Sequence, residues 1–187
     1  EDVALIREIP GAVICDPADD VQMEWIIKEF SKMEGIHYVR SNRKAVRNVY
    51  KKGSSFKIGQ GNILKEGKDI LIIAAGQLVS EALDCAEELE KEGHSVEVID
   101  MFTIKPLDEK LLIKEAKGKS KIVTIENHSI YGGLGSAVSE VIAENGIPVP
   151  VKRIGVKEKF GQVGTAEFLQ KEFGLTAKQI KETICQF

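Results

Sequence analysis

Residues 62–76 read NILKEGKDILIIAAG, and the apolar run at residues 70–75 decides the fold. An unbroken run of this length, closed by Gly76, suits a strand buried on both faces, the position of a parallel strand covered by helices. The preceding NILK predicts a short edge strand, with Lys68 at the turn between the two. Working outward toward the C-terminus, Val79, Ala82, Leu83, Ala86 and Leu89 recur at helical spacing, so residues 78–92 form a helix that Gly93 stops. A strand follows at residues 96–99, Lys105-Pro106 breaks the chain, and Asp108 caps a helix through Ala116. Residues 122–125 then form a strand that delivers Glu126, Asn127 and His128 to a loop. Beyond the glycine turn at residues 131–136 come a helix at 134–144, a strand at 149–156 and a helix at 165–173. Thr176 caps a terminal helix with Ile180 and Ile184 inward. Strands and helices alternating at these lengths define an α/β fold, a three-layer, mostly parallel doubly wound sheet.

Toward the N-terminus the pattern is shorter. Residues 1–9 read as a helix that begins without a capping residue, which looks like a cut through a domain. Residues 12–15 form a buried strand, and Asp16-Pro17 supplies an N-cap and a first-turn proline. The helix that follows runs to about Met33 with Val21, Trp25, Phe30 and Met33 on its apolar face, and Gly35 precedes a strand at residues 36–39. This strand, helix and strand are too few to stand alone. Residues 42–61, with Arg43, Lys44, Arg47, Lys51 and Lys52 ahead of Gly53, Ser54 and Ser55, lack apolar period and read as a connection.

The totals exclude several classes of function. Well-mixed charge, 26 basic against 29 acidic side chains and a net −3 over 187 residues, leaves no positive field for nucleic acid or anionic lipid. No apolar run approaches the roughly 20 residues of a membrane helix, so a cytoplasmic protein is expected. Cys15, Cys85 and Cys185 are scattered and odd in number, which reads as reduced, mostly buried thiols.

Candidate sites cluster where strands end. In YGGLGSAV, residues 131–138, Gly133 and Gly135 invite a dinucleotide reading, but the third glycine position is Val138 and no acid follows near residues 153–156. Tight turning and close helix packing explain the glycines better. His128 lies at the carboxyl end of a strand, where ligands gather in open α/β sheets, with Glu126 placed to orient it. His37 and His94 have weaker claims, in a strand and at a helix end. Arg40 and Arg43, in YVRSNR, leave a strand end where a guanidinium can grip a phosphate or carboxylate; a solvated basic linker is the other reading. Metal-ligand spacing, a P-loop and a nucleophile elbow are all missing from the sequence.

Five ordered blocks carry a resemblance: EDVALIREIPGAVICDPAD (1–19), YVRSNR (38–43), FKIGQGNILKEGKDILIIAAG (56–76), ENHSIYGGLGSAVSEVI (126–142) and KEKFGQVGT (157–165). Together they resemble the C-terminal part of transketolase, particularly the form split into two subunits. The resemblance implies that residues 1–47 are the end of a pyrimidine-binding domain, 48–60 a linker and 61–187 the C-terminal domain. It further implies transfer of a two-carbon ketol unit between sugar phosphates by a complete, homodimeric enzyme that uses thiamine diphosphate and Mg²⁺. Cofactor and metal are expected on an N-terminal half or subunit and not on this chain alone, which is expected to be inactive by itself. Of the family's site residues, Arg43 matches the substrate-phosphate arginine, with Arg40 as the second candidate. Deoxyxylulose phosphate synthase and the beta subunit of 2-oxo acid dehydrogenases share the domain order and compete with this reading, although FGQVGT followed by EFLQKEFGL favours transketolase. A nucleotide-binding regulatory module would use the glycine turn as its phosphate cradle, and a purely structural domain would use none of these sites.

Overall fold

In the computed structural model, which describes residues 1–42 and 45–187, the chain forms two sheets. The smaller joins β1 (Val13–Cys15), β2 (His37–Val39) and β6 (Thr103–Lys105) in the order β2-β1-β6. The larger joins β3 (Asn62–Lys65), β4 (Ile70–Ala74), β5 (Val96–Asp100), β7 (Lys121–Ser129) and β8 (Val151–Val156) in the order β3-β5-β4-β7-β8. All pairings within this sheet are parallel except that of the edge strand β3.

The double burial expected of residues 70–75 holds. Ile70, Ile72 and Ala74 pack into one core with α3 (Val79–Lys91) and α7 (Ala177–Gln186), while Leu71, Ile73 and Ala75 pack into another with α4 (Glu109–Ala116) and α5 (Leu134–Glu144). Alternating side chains thus feed opposite faces of a sheet covered by helices on both sides. The expected caps also form: Asp108 accepts from the backbone N–H of Leu111 and Thr176 from Gln179; Thr165, read as the first helical residue, instead caps α6 (Ala166–Glu172) by accepting from Phe168. Ile180 and Ile184 are buried, as are Cys15 and Cys85, whose thiols burial pushes up to about 12; Cys185 is exposed.

Several boundaries depart from the sequence reading. Helix α2 (Asp20–Phe30) is capped by Asp19, not Asp16, because Asp16 is drawn inward to Arg40 while Asp19 accepts from the N–H of Gln22. The buried members of α2 are Gln22 and Ile26, and Gln22 is admitted to the interior because it bonds Asp100 and the N–H of Ala18. Strand β6 carries no apolar alternation of its own and is organised by antiparallel pairing with β1. Glu126, Asn127 and His128 lie within β7, not in a loop, because the strand continues past a register shift between Ile125 and Ser129 and pairs again with Val156.

Residues 48–60 contain neither helix nor strand, yet this stretch and Arg47 before it are pinned to the start of α2, to α3 and to the end of β5. Asp19 accepts from the N–H groups of Val49 and Tyr50, the Tyr50 hydroxyl donates to Asp100, and Arg47 grips Asp84 with two bonds. Phe56 meets Trp25, Tyr50 and Phe102 edge to face. Among the described residues no helix is long and apolar enough to cross a membrane.

Candidate functional site

A cleft of about 270 Å³ opens where the carboxyl ends of β2, β7 and β8 meet the start of α1 (Asp2–Arg7), with Arg40, Asn127, His128 and Lys157 on its walls. Arg40 leaves β2 and is held on three sides. Its Nε donates to Asp2 at 2.8 Å, and its Nη1 donates to Asp16 and to the carbonyl of Asn127, both at 3.0 Å. Burial opposes the charge on Arg40, but Asp16 and Asp2 outweigh it and raise the guanidinium above its ordinary value. Burial works likewise against the Asp2 carboxylate, yet the Tyr38 hydroxyl at 2.7 Å and Arg40 bring that carboxyl down to about 2. At Asp16 burial wins, and its carboxyl is raised despite Arg40. Arg43 lies outside the described residues.

Two strand residues set the chemistry behind Arg40. Glu126 is buried, and its two carboxylate oxygens each accept a backbone N–H at 2.8 Å, from Leu134 and from Gly135. These are the orphan amides of the first turn of α5, the groups that a bound phosphate would use at a helix N-terminus. The carboxylate of Glu126 thus occupies the cradle. Burial raises its carboxyl to about 7 even though both amide bonds work against the shift.

Gly133 permits this approach, and Gly135 permits close packing on Thr124 and Arg153. A Cβ on Gly133 would overlap Glu126 Oε2, and one on Gly135 would sit 2.7 Å from Thr124 Oγ1. The scaffold reading of the turn is supported, with a specific cause that sequence did not show.

His128 is also buried. Its Nδ1 lies 2.8 Å from the carbonyl of Ser129 and 3.7 Å from Glu126, and its Nε2 lies 3.6 Å from Asp2 Oδ1 without a hydrogen-bond partner among the described residues. Burial lowers the imidazole below its ordinary value. The other histidines play no part here: His37 stacks on Phe30 and His94 is exposed.

A further buried acid, Asp100 at the end of β5, accepts from Gln22 at 2.7 Å and from Tyr50 at 2.5 Å, and burial pushes it up to about 7. Sequence reasoning passed over Asp2 and Asp100 and read Asp16 only as a helix cap. The available signal was an acid at or just after a strand end, as at Asp16 and Asp100. Among the described residues no three His, Cys, Asp or Glu side chains gather as a metal site.

The geometry defines a class first: a doubly wound α/β unit with a second, smaller sheet against its carboxyl edge and an internally capped helix after the glycine turn. The family model for the transketolase C-terminal domain matches residues 59–180, and the chain belongs to that family. It is 40% identical over 180 residues to a 6-deoxy-6-sulfo-D-fructose transketolase subunit of Clostridium sp. strain MSTE9, covering 96% of this chain and 56% of that protein. It is 34% identical over 182 residues to 1-deoxy-D-xylulose-5-phosphate synthase of Heliobacterium modesticaldum, covering 96% of this chain and 28% of that enzyme. Among solved structures, a split gene transketolase described as an inactive beta4 tetramer matches with a TM-score of 0.93 at 40% identity, covering 100% of this chain and 60% of that one. The chain thus spans little more than half the length of the transketolase subunit it matches.

Proposed function

We propose that this chain is the C-terminal section of a split transketolase, working with an N-terminal subunit to transfer a two-carbon ketol unit between sugar phosphates. The observation that carries the reading is the likeness along the whole chain to a transketolase subunit and to a split gene transketolase. In this reading residues 1–47 complete a pyrimidine-binding domain, 48–60 connect, and 61–187 form the C-terminal domain of a cytoplasmic, homo-oligomeric enzyme.

The transketolase family depends on thiamine diphosphate, and the described residues do not fit that cofactor. Of the two buried glutamates, Glu126 is committed to the start of α5 and Glu97 pairs with Lys119 at 2.6 Å, and neither lines the cleft where a pyrimidine ring could reach it. The cofactor and its Mg²⁺ are assigned to surfaces outside these residues. The role of this chain is to position substrate: Arg43 binds the substrate phosphate, and Arg40, fixed by Asp2 and Asp16, supports it.

Two assays test the reading. The chain alone, given thiamine diphosphate, Mg²⁺ and sugar phosphates, is expected to show no ketol transfer, and turnover would overturn its role as a dependent section. In the complete enzyme containing this sequence, Arg43→Ala is expected to raise KM for phosphorylated sugars far more than for unphosphorylated ones; equal losses would remove Arg43 from the phosphate site. A second reading, deoxyxylulose phosphate synthesis, is favoured by the Heliobacterium relative, and product analysis of the complete enzyme separates the two.

A further inference from the structure

The two oxygens of Asp100 are treated unequally. The residue ends β5 and is wholly buried where the large sheet meets α2 and the connecting stretch. Its Oδ2 accepts from the Gln22 side chain at 2.7 Å and from the Tyr50 hydroxyl at 2.5 Å, whereas its Oδ1 has no partner among the described residues. The Gln22 amide cannot turn round to change this, because its own oxygen accepts from the N–H of Ala18 at 2.7 Å. Asn62, the register partner of Asp100 on β3, brings no relief either: its Nδ2 is buried and has no partner among the described residues. An orphan oxygen that belongs to an anion costs far more in the interior than one that belongs to a neutral acid.

The surroundings favour the neutral form. Asp16 beyond β1 and Asp19 at the cap of α2 both oppose a negative charge here, and the Cys15 thiol on β1 lies close enough to respond to it. Arg40 answers Asp16 and makes no bond to Asp100. Burial, the largest influence, and these two acids together outweigh the Tyr50 and Gln22 bonds and bring the carboxyl up to about 7. With two donated hydrogens already on Oδ2, the proton sits on Oδ1.

We propose that Asp100 is a proton-operated clasp on the connecting stretch. The neutral side chain holds Gln22 and Tyr50 against the end of β5; passing its proton to solvent adds a negative charge beside Asp16 and Asp19, and the stretch carrying Tyr50 opens so that water can reach Oδ1. Opening breaks the bonds from the N–H groups of Val49 and Tyr50 to Asp19, which makes those two amides its reporters. The clasp is independent of the reaction proposed for the complete enzyme.

Two measurements on the 187-residue chain test it. The ¹³C resonance of the Asp100 carboxyl is expected to titrate with its midpoint near neutral pH. Hydrogen exchange, corrected for its intrinsic pH dependence and referred to Ile72 on β4, is expected to show protection at Val49 and Tyr50 falling about tenfold from pH 6 to pH 8. Asp100→Asn keeps an acceptor for Gln22 and Tyr50 and places an uncharged group at the Oδ1 position, so protection is expected to stay at its pH 6 level throughout. Tyr50→Phe removes a donor to the anion and is expected to move the carboxyl midpoint to higher pH. A carboxyl that titrates below pH 5, wild-type protection that holds constant across neutral pH, an Asp100→Asn chain that still loses it, or a midpoint that Tyr50→Phe leaves in place or lowers would each overturn the clasp. Should Asp100→Asn fail to fold, the two wild-type measurements decide.

Discussion

Glu126 and His128 stand two residues apart on β7, and they have opposite fates. Both are buried, and burial pushes each toward its neutral form. Glu126 has a donor on each oxygen and serves the fold by closing the start of α5. His128 has a partner for Nδ1 and none among the described residues for Nε2, so half of its bonding capacity is left facing the cleft. A polar group is scaffold when the protein satisfies it completely; the remainder left unsatisfied is what a ligand can use.

That contrast can be broken from either side. The largest effect is expected at Arg40, which holds the cleft wall together. Arg40→Ala strands Asp16 in the interior beside an unbalanced Asp2 and should cost about 3–5 kcal/mol in urea unfolding; a loss under about 1 kcal/mol would mean that water replaces the guanidinium. Glu126→Ala leaves two helix amides without acceptors and should cost about 2–3 kcal/mol, with amide exchange quickening at Leu134 and Gly135. Gly133→Ala drives a Cβ into Glu126 and should cost about 1–3 kcal/mol. In the Glu126→Ala background that added cost should largely vanish, because the clashing oxygens are gone; full additivity would show that the turn itself, not the carboxylate, requires glycine.

The pH dependence works on the same buried groups. The folded-state values of Glu126 and Asp100 are raised to about 7 from ordinary values of 4.5 and 3.8. Between those limits the folded chain binds more protons than the unfolded one, so their contribution is complete below the ordinary values and is lost as pH rises through about 7. Each contributes a slope below about 1.4 kcal/mol per pH unit. Asp2, brought down to about 2, acts oppositely, and its contribution disappears as pH falls from about 4 through 2. Melting temperature should therefore fall from pH 5 to pH 8, and Glu126→Gln should flatten the fall.

How much of this was legible depends on whether the cause was local. The run at residues 70–75 announced a doubly covered strand, because burial on both faces is written directly into apolar side chains. Asp108 and Thr176 were readable as caps because each bonds an N–H three residues on. Asp16 misled for the same reason in reverse: it precedes a helix as a cap would, but its partner Arg40 lies 24 positions away. The carboxylate of Glu126 reaches amides eight and nine residues later, after a turn whose glycines look the same whether they admit a phosphate or a side chain. Strand β6 was invisible because three residues paired across the molecule leave no period to read.

Strand β6 has one further consequence. It is spelled by residues after β5, inside the segment that the family model spans, yet it is woven into the sheet of β1 and β2. Scissors applied to the gene at the end of the connecting stretch would separate β1 from one of its two neighbours. Reciprocal swaps of this stretch between paralogues should therefore tolerate a join on the far side of Lys105 better than one at residue 60, and the two sheets should lose their slowest-exchanging amides in a single event.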